Sequence, residues 1–264
     1  MSAQGKGAVE AAYHALEQCF WAGLSRAHWH SASGAVQGFL SAVPDATGFN
    51  QLYATAEAVP AEFDQVLAAF AAYPVDITLV LHQDAHQRLR ERLAQLPVTA
   101  GDATTAMYCD LRQLRIAAPV AGASVQGPAA PLHDWAVPLG SAFADPQQPD
   151  DGGRFLSLYR DAHGCALDAG VPLQHWLLRE QGEVRTSLTL TQLADTVRLD
   201  DIGTDPRHQR RGLAGMLVSE VLQQAREQGA RWAVLEASGA GLGLYQRLGF
   251  QPLFEYRTLI LQQH

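Results

Sequence analysis

The residues whose types and order could do chemistry are concentrated at 202–215, IGTDPRHQRRGLAG. Within that run Gln209, Arg210, Arg211, Gly212, Leu213 and Ala214 stand between an alternating apolar stretch and the start of a strong amphipathic pattern. The pattern puts them at a strand-to-helix turn, where the first backbone N–H groups of the helix have no intrahelical acceptor. Those donors point one way and the helix dipole adds partial positive charge, so the turn suits a phosphate. Gly212 lets the backbone approach closely, Ala214 leaves room, and Arg210 and Arg211 add mobile positive charge. Other reactive types are less telling. Cys165 has His163 near it in sequence, but a lone Cys in an apolar helical stretch reads as core. His28, Trp29 and His30 lack a third ligand at a motif spacing, so no metal site is expected.

The elements that must hold the turn follow from periodicity. Leu213, Leu217, Val221 and Ala225, flanked by Val218 and Leu222, form an i, i+4 stripe that stops at Gly229. Ahead of this helix the pattern predicts helices near 134–143 and 155–167 and strands at 173–179, 185–192 and 196–204. After it come a strand at 231–237, a short helix at 241–248 ended by Gly249, and a strand at 253–261. The first part of the chain reads as a helix at 8–22, strands at 34–42 and 49–55, and a helix at 61–72 opened by Pro60. A strand at 77–82, a helix at 85–96 and a strand at 106–111 complete it.

Residues 118–131, APVAGASVQGPAAP, are uncharged and rich in proline and small side chains, the composition of a linker. The expected division is therefore 1–117, a linker at 118–131, and 132–264. ITLVLH, a helix ending RERLAQL and a strand in the first half echo WAVLEA, a helix ending YQRLGF and a strand in the second, as a tandem duplication would. The first half has no counterpart of the glycine-bearing turn at 209–214.

Apolar residues make up 47% of the 264 and charged ones 17%, which excludes wholesale disorder. The longest apolar stretches fall far short of the roughly 18 residues of a bilayer span, and the N-terminus lacks a secretory h-region, so a cytoplasmic protein with no membrane partner is expected. Cys19, Cys109 and Cys165 are too scattered for a disulfide framework. The net charge of −8 is spread over both halves and neither is basic, so nucleic acid is not an expected partner.

Residues from about 145 to 264 resemble the GNAT superfamily of acyl-CoA-dependent N-acyltransferases. GTDPRHQRRGLAGML matches its pyrophosphate-loop motif and LYQRLGFQPL its C-terminal motif. The whole chain is similar to tandem bacterial members in which a degenerate N-terminal copy packs on an active C-terminal one. The resemblance implies an α/β fold, with a mixed central sheet and flanking helices in two copies. It implies that the amides of Gln209, Arg210, Arg211, Gly212, Leu213 and Ala214 hold the CoA pyrophosphate, with Gly215 in the same binding set. Ile202, Gly203 and Thr204 would pair with the pantetheine, and the Thr204 amide would hold the thioester carbonyl. Tyr245 stands at the position of the family's general acid. Ser238 stands where members often carry Asn, a departure that weakens one pantetheine contact.

The chemistry so implied is acetyl transfer from acetyl-CoA, without a metal, to a primary amine of a small molecule by direct attack in a ternary complex. It forms an oxyanion and expels a thiolate, which a backbone N–H and a phenol stabilise. The amine must also lose a proton, for which Asp200, Asp201 and Glu236 are the available bases. Strand alternation puts Asp200 and Asp201 on opposite faces, so at most one serves. Trp135, Trp176 and Tyr159 are expected to fill the interface between the halves. A monomer or homodimer is expected, and the alternative to an enzyme is a non-catalytic acyl-CoA-binding or regulatory protein.

Overall fold

A computed structural model of the chain describes residues 3–43, 48–142 and 152–262. The first half runs α1 (Ala3–Gly23), β1 (Ser25–His30), β2 (Val36–Ser41), β3 (Gln51–Ala54), α2 (Pro60–Ala69), β4 (Ile77–His82), α3 (Gln83–Arg88), α4 (Arg90–Leu93) and β5 (Val98–Asp110). The second runs β6 (Ala123–Gln126), α5 (Leu132–Ala142), α6 (Gly152–Asp168), β7 (Leu173–Glu180), β8 (Glu183–Leu193), β9 (Thr196–Thr204), α7 (Leu213–Glu227), β10 (Trp232–Ala237), α8 (Leu242–Leu248) and β11 (Gln251–Leu261). The expected helix end at Phe143 and the start of the 145–264 resemblance lie outside the described residues. No helix among the described residues is long and apolar enough to cross a membrane.

The strands form one mixed sheet in the order β1-β2-β3-β4-β11-β5-β10-β9-β8-β7-β6. Each half contributes an antiparallel meander followed by a parallel pair, β3 with β4 in the first and β9 with β10 in the second. The halves then exchange their last strands. β11 pairs with β4 of the first half, β5 pairs with β10 of the second, and β5 and β11 pair with each other at the centre. This is the arrangement of two tandem copies, and the sheet crosses the 118–131 boundary without a break.

Four elements differ from the sequence reading, one of them the single helix expected at 85–96, which breaks at Leu89 into α3 and α4. β1 forms from SRAHWH, where no strand is expected, with His28 stacked on Phe39 of β2 at 4.8 Å. β5 begins at Val98 rather than 106, because its exposed first half is held by pairing to β11. Within the segment read as a linker, β6 adds an edge strand to β7.

In the second half α7 buries Leu213, Leu217, Val221 and Leu222 against Leu188, Leu190, Val197 and Leu199 of the sheet. Each such side chain removed from water stabilises the layer by roughly 1.5–3 kcal/mol. The opposite face is covered by α5, α6 and α1. There Trp135 and Tyr159 pack with Phe20 of α1 and with Leu24 just after it, at the junction of the halves, whereas Trp176 belongs to the core under α7. At the end of β9 a Cβ on Gly203 would stand 2.6 Å from Leu139 Cδ2, so glycine here leaves room for the Leu139 side chain of α5.

Candidate acyl-transfer site

β9 and β10 pair in parallel from Thr196 and Trp232 to Leu199 and Leu235, where the pairing stops. β9 continues to Thr204 and β10 to Ala237, so beyond that point the two strands diverge. Asp205 N donates to Arg185 O at 3.0 Å, and antiparallel alternation then turns the Thr204 N–H away from β8, toward the side β10 has left. The Thr204 hydroxyl is engaged with Thr186 Oγ1 at 2.9 Å, so its backbone is the part left to act.

The turn after β9 is built by its own side chains. Asp205 accepts from Arg207 N and from the Arg207 guanidinium, which hold its carboxyl down to about 2. Gln209 Nε2 closes back on Thr204 O at 3.3 Å. Arg210 (φ 61°) and Gly212 (φ 86°) are both left-handed, a conformation that turns successive amides toward one point. The first intrahelical bond of α7 is Met216 N to Gly212 O at 2.9 Å, so the amides of Leu213, Ala214 and Gly215 open the helix without intrahelical partners.

The positive charge divides unequally. Arg211, expected to be mobile, is tied to Glu180 of β7 at 2.6 Å and to His208 at 2.9 Å. Arg210 is exposed and in no ion pair among the described residues, which makes it the cation free to reach a phosphate. Leu213 is buried in the core and offers only its backbone. α8 packs its Leu244 against the first turn of α7 at Gly215, bringing Tyr245 to this end of the sheet. Tyr245 is buried, its ring 5.9 Å from Phe250, and burial pushes its hydroxyl well above the usual phenol range. Ser238 is exposed and its Oγ accepts from Gly241 N at 3.3 Å, so it shapes the entry to α8.

The two aspartates do not alternate. Between Ser187–Gly203 and Thr189–Asp200, β9 holds one residue more than β8, and Asp201 takes φ 53° in the resulting bulge. Both carboxylates therefore turn toward the helices α1 and α6, which corrects the expectation of opposite faces. Asp200 accepts from Arg198 Nε at 2.9 Å. Asp201 Oδ1 accepts from Tyr159 Oη at 2.5 Å, while its Oδ2 lies 3.6 Å from His163 Nε2. His163 Nδ1 is 2.9 Å from His175 Nε2. Across the opening Glu236 accepts from Thr104 of β5 at 2.6 Å and from Tyr13 of α1 at 3.5 Å. Burial raises all three acids, Asp201 to about 7 and Asp200 to about 6, and burial lowers His175 to about 4 and holds His163 well below the usual imidazole range.

Sequence reasoning missed Glu17, Tyr13, Arg198, Tyr159 as a partner of Asp201, and the histidine pair. The available signal was a charge inside an apolar pattern, as in TVRLD and ALEQCF. Because Asp201 holds its proton more tightly folded than unfolded, its protonated form stabilises the fold fully below about pH 4, and this is lost as pH rises through about 7. Asp201→Asn keeps the acceptor for Tyr159 and removes that loss. Denaturant midpoints should thus favour the variant by about 1–3 kcal/mol at pH 8 and converge below about pH 4. Parallel pH profiles would mean that Asp201 ionises without cost.

Comparisons with known proteins bear on the family and the fold. Residues 139–250 match the model of the acetyltransferase (GNAT) family. No curated protein matches the sequence. Among solved structures, a GCN5-related N-acetyltransferase from Kribbella flavida superposes with TM-score 0.64 at 20% identity, over 92% of this chain and 93% of that one. A functionally unknown conserved protein from Staphylococcus epidermidis does so with TM-score 0.61 at 12% identity, over 87% and 92%. A tandem GNAT protein from the clavulanic acid biosynthesis pathway gives 0.57 at 12% identity, over 87% and 78%.

Proposed function

We propose an activity for this chain from the premise that its residues 139–250 belong to the GNAT acetyltransferase family, on a tandem GNAT fold. The protein transfers an acetyl group from acetyl-CoA to a primary amine of a small molecule, by direct attack in a ternary complex. The observation that carries this reading is the divergence of β9 from β10 directly before a turn of unpartnered amides. Backbone donors result at both ends of this segment, the Thr204 N–H at the strand edge and the amides of Leu213, Ala214 and Gly215 where α7 opens.

Along that segment the amides from Gln209 to Gly215 hold the pyrophosphate, with Arg210 adding charge. The open edge at Ile202, Gly203 and Thr204 takes the pantetheine, and the Thr204 amide steadies the oxyanion. Ser238 is exposed beside α8, where a pantetheine hydrogen bond is its part. Glu236 takes the ammonium proton directly or through water, with Asp201 the second candidate. Tyr245 stays a neutral phenol and protonates the leaving thiolate. The first half, 1–117, is a degenerate copy whose α1 and β5 wall the acceptor side.

The test is release of free thiol from acetyl-CoA in the presence of a panel of primary amines. Tyr245→Phe should lower turnover by roughly 10- to 1,000-fold with acetyl-CoA affinity unchanged. Unchanged turnover would take Tyr245 out of the mechanism. The engagement of Ser238 in the α8 turn favours a second reading, a non-catalytic acyl-CoA sensor, which predicts binding without thiol release for any amine.

A further inference from the structure

Asp201 of β9, His163 of α6 and His175 of β7 stand in a line beneath the helices of the second half. Acyl transfer as described above gives the two histidines no part.

Tyr159 Oη donates to Asp201 Oδ1 at 2.5 Å, which fills that oxygen. Asp201 Oδ2 and His163 Nε2 are both buried without a hydrogen-bond partner, and they face each other at 3.6 Å. An approach of about 0.5 Å brings the two into bonding range. Next in line, His163 Nδ1 lies 2.9 Å from His175 Nε2, so one of these nitrogens carries a proton and the other offers its lone pair. Trp135 of α5 packs on both rings, at 4.5 and 4.7 Å, while its Nε1 donates elsewhere, to Leu188 O.

Two arrangements satisfy both contacts with neutral rings. With Asp201 protonated, its Oδ2–H donates to His163 Nε2, His163 Nδ1–H donates to His175 Nε2, and His175 keeps its proton at Nδ1. With Asp201 ionised, His163 Nε2–H donates to Oδ2 and His175 Nε2–H donates to His163 Nδ1. Passing from the first to the second breaks the Asp201 O–H bond and both Nδ1–H bonds, forms an Nε2–H bond on each ring, and releases one proton from His175 to water. Burial holds His175 at about 4 and His163 well below the usual imidazole range, so the proton moves without leaving a charged ring behind. Around Asp201, Tyr159 of α6, Thr189 of β8 and Arg198 of β9 favour the carboxylate, and Asp200 opposes it. From the other elements, α1 presents Phe20 to His163 and gives its Glu17 to Arg198, and Asp134 of α5 is taken up by Arg179.

We propose that His163 and His175 form a proton relay with Asp201, their tautomers exchanging together as the carboxylate gains or loses its proton. Its use rests on the acyl-transfer reading: an ammonium N–H bond breaks as an O–H bond forms on Asp201, the electron pair stays on the amine, and the relay carries the proton away.

Nitrogen-15 NMR of the full chain, labelled at histidine and free of acetyl-CoA and amine, tests the relay, since it separates a ring N–H from a bare nitrogen. Both rings should be Nδ1–H at about pH 5.5 and Nε2–H at about pH 9, with one common midpoint near the Asp201 value of about 7. In Asp201→Asn the new amide can only donate to His163 Nε2, so both rings should stay Nδ1–H at either pH. Tyr159→Phe, a second variant should the first fold poorly, removes a donor to the carboxylate and should raise the midpoint by about 1 unit. Tautomers that do not change with pH in the native chain, an exchange that survives in Asp201→Asn, or a midpoint unmoved in Tyr159→Phe would overturn the proposal. Thiol release is measured in separate samples, so a failed exchange is not mistaken for failed acyl transfer.

Discussion

Gly212→Val is expected to weaken acetyl-CoA binding by about 100- to 1,000-fold while leaving the fold intact. Gly212 sits at φ 86°, where a β-branched residue is strained by roughly 1–3 kcal/mol. A Cβ there would meet only Val120 Cγ2, at 3.7 Å, so the added side chain collides with nothing that must move. The turn instead relaxes out of the left-handed region, and the amides that precede and open α7 swing off their common point. Each hydrogen bond to a charged group is worth about 1.5–3 kcal/mol, so losing two at the lower end of that span, about 3–4 kcal/mol together, produces the stated range. Calorimetry on the variant measures it directly. Wild-type affinity would mean that the CoA phosphates do not rest on this turn.

Glu236→Gln should lower turnover by about 100- to 10,000-fold, the span expected for loss of one general base. Thr104 donates to Oε1 and Tyr13 to Oε2; a glutamine keeps the shorter Thr104 bond through its Oε1 and turns its amide toward the Tyr13 hydroxyl oxygen, which can accept, so packing survives the change. The variant should bind acetyl-CoA as the native chain does, because Glu236 lies on β10, across the opening from the β9 edge and away from the turn. The loss therefore belongs in turnover and not in cofactor affinity. If Asp201→Asn gives the large loss and Glu236→Gln a small one, the base is on β9. If neither changes thiol release, the proton leaves by solvent alone.

Much of the second half was legible because its patterns are local. The stripe from Leu213 to Ala225, its stop at Gly229, and the strands at 173–180 and 196–204 need no knowledge of distant partners. What was hidden depends on pairing across the chain. Residues 98–105 look like a polar loop until β11, some 150 residues later, supplies their hydrogen bonds. The exchange of β5 and β11 cannot be read from either strand, since each satisfies the same alternation beside its own copy or the other. The bulge at Asp201 was invisible for another reason: no glycine marks it, and the left-handed residue is an aspartate held by Tyr159. Arg211 looked like a free cation because Glu180, its partner, is 31 residues away on β7, two strands across from β9. Arg198 did announce itself as a charge in an apolar strand, but its partner Glu17 lies on the first helix.

The central claim is that the turn at 209–215 and the open edge of β9 hold acetyl-CoA. Calorimetric titration with acetyl-CoA, paired with free CoA at modest salt so that phosphate contacts are not screened, tests it most directly. The account predicts one-to-one, micromolar binding of both ligands, since they share the phosphates and pantetheine that this segment contacts. No saturable heat with either would contradict it and leave the divergence of β9 from β10 without a ligand.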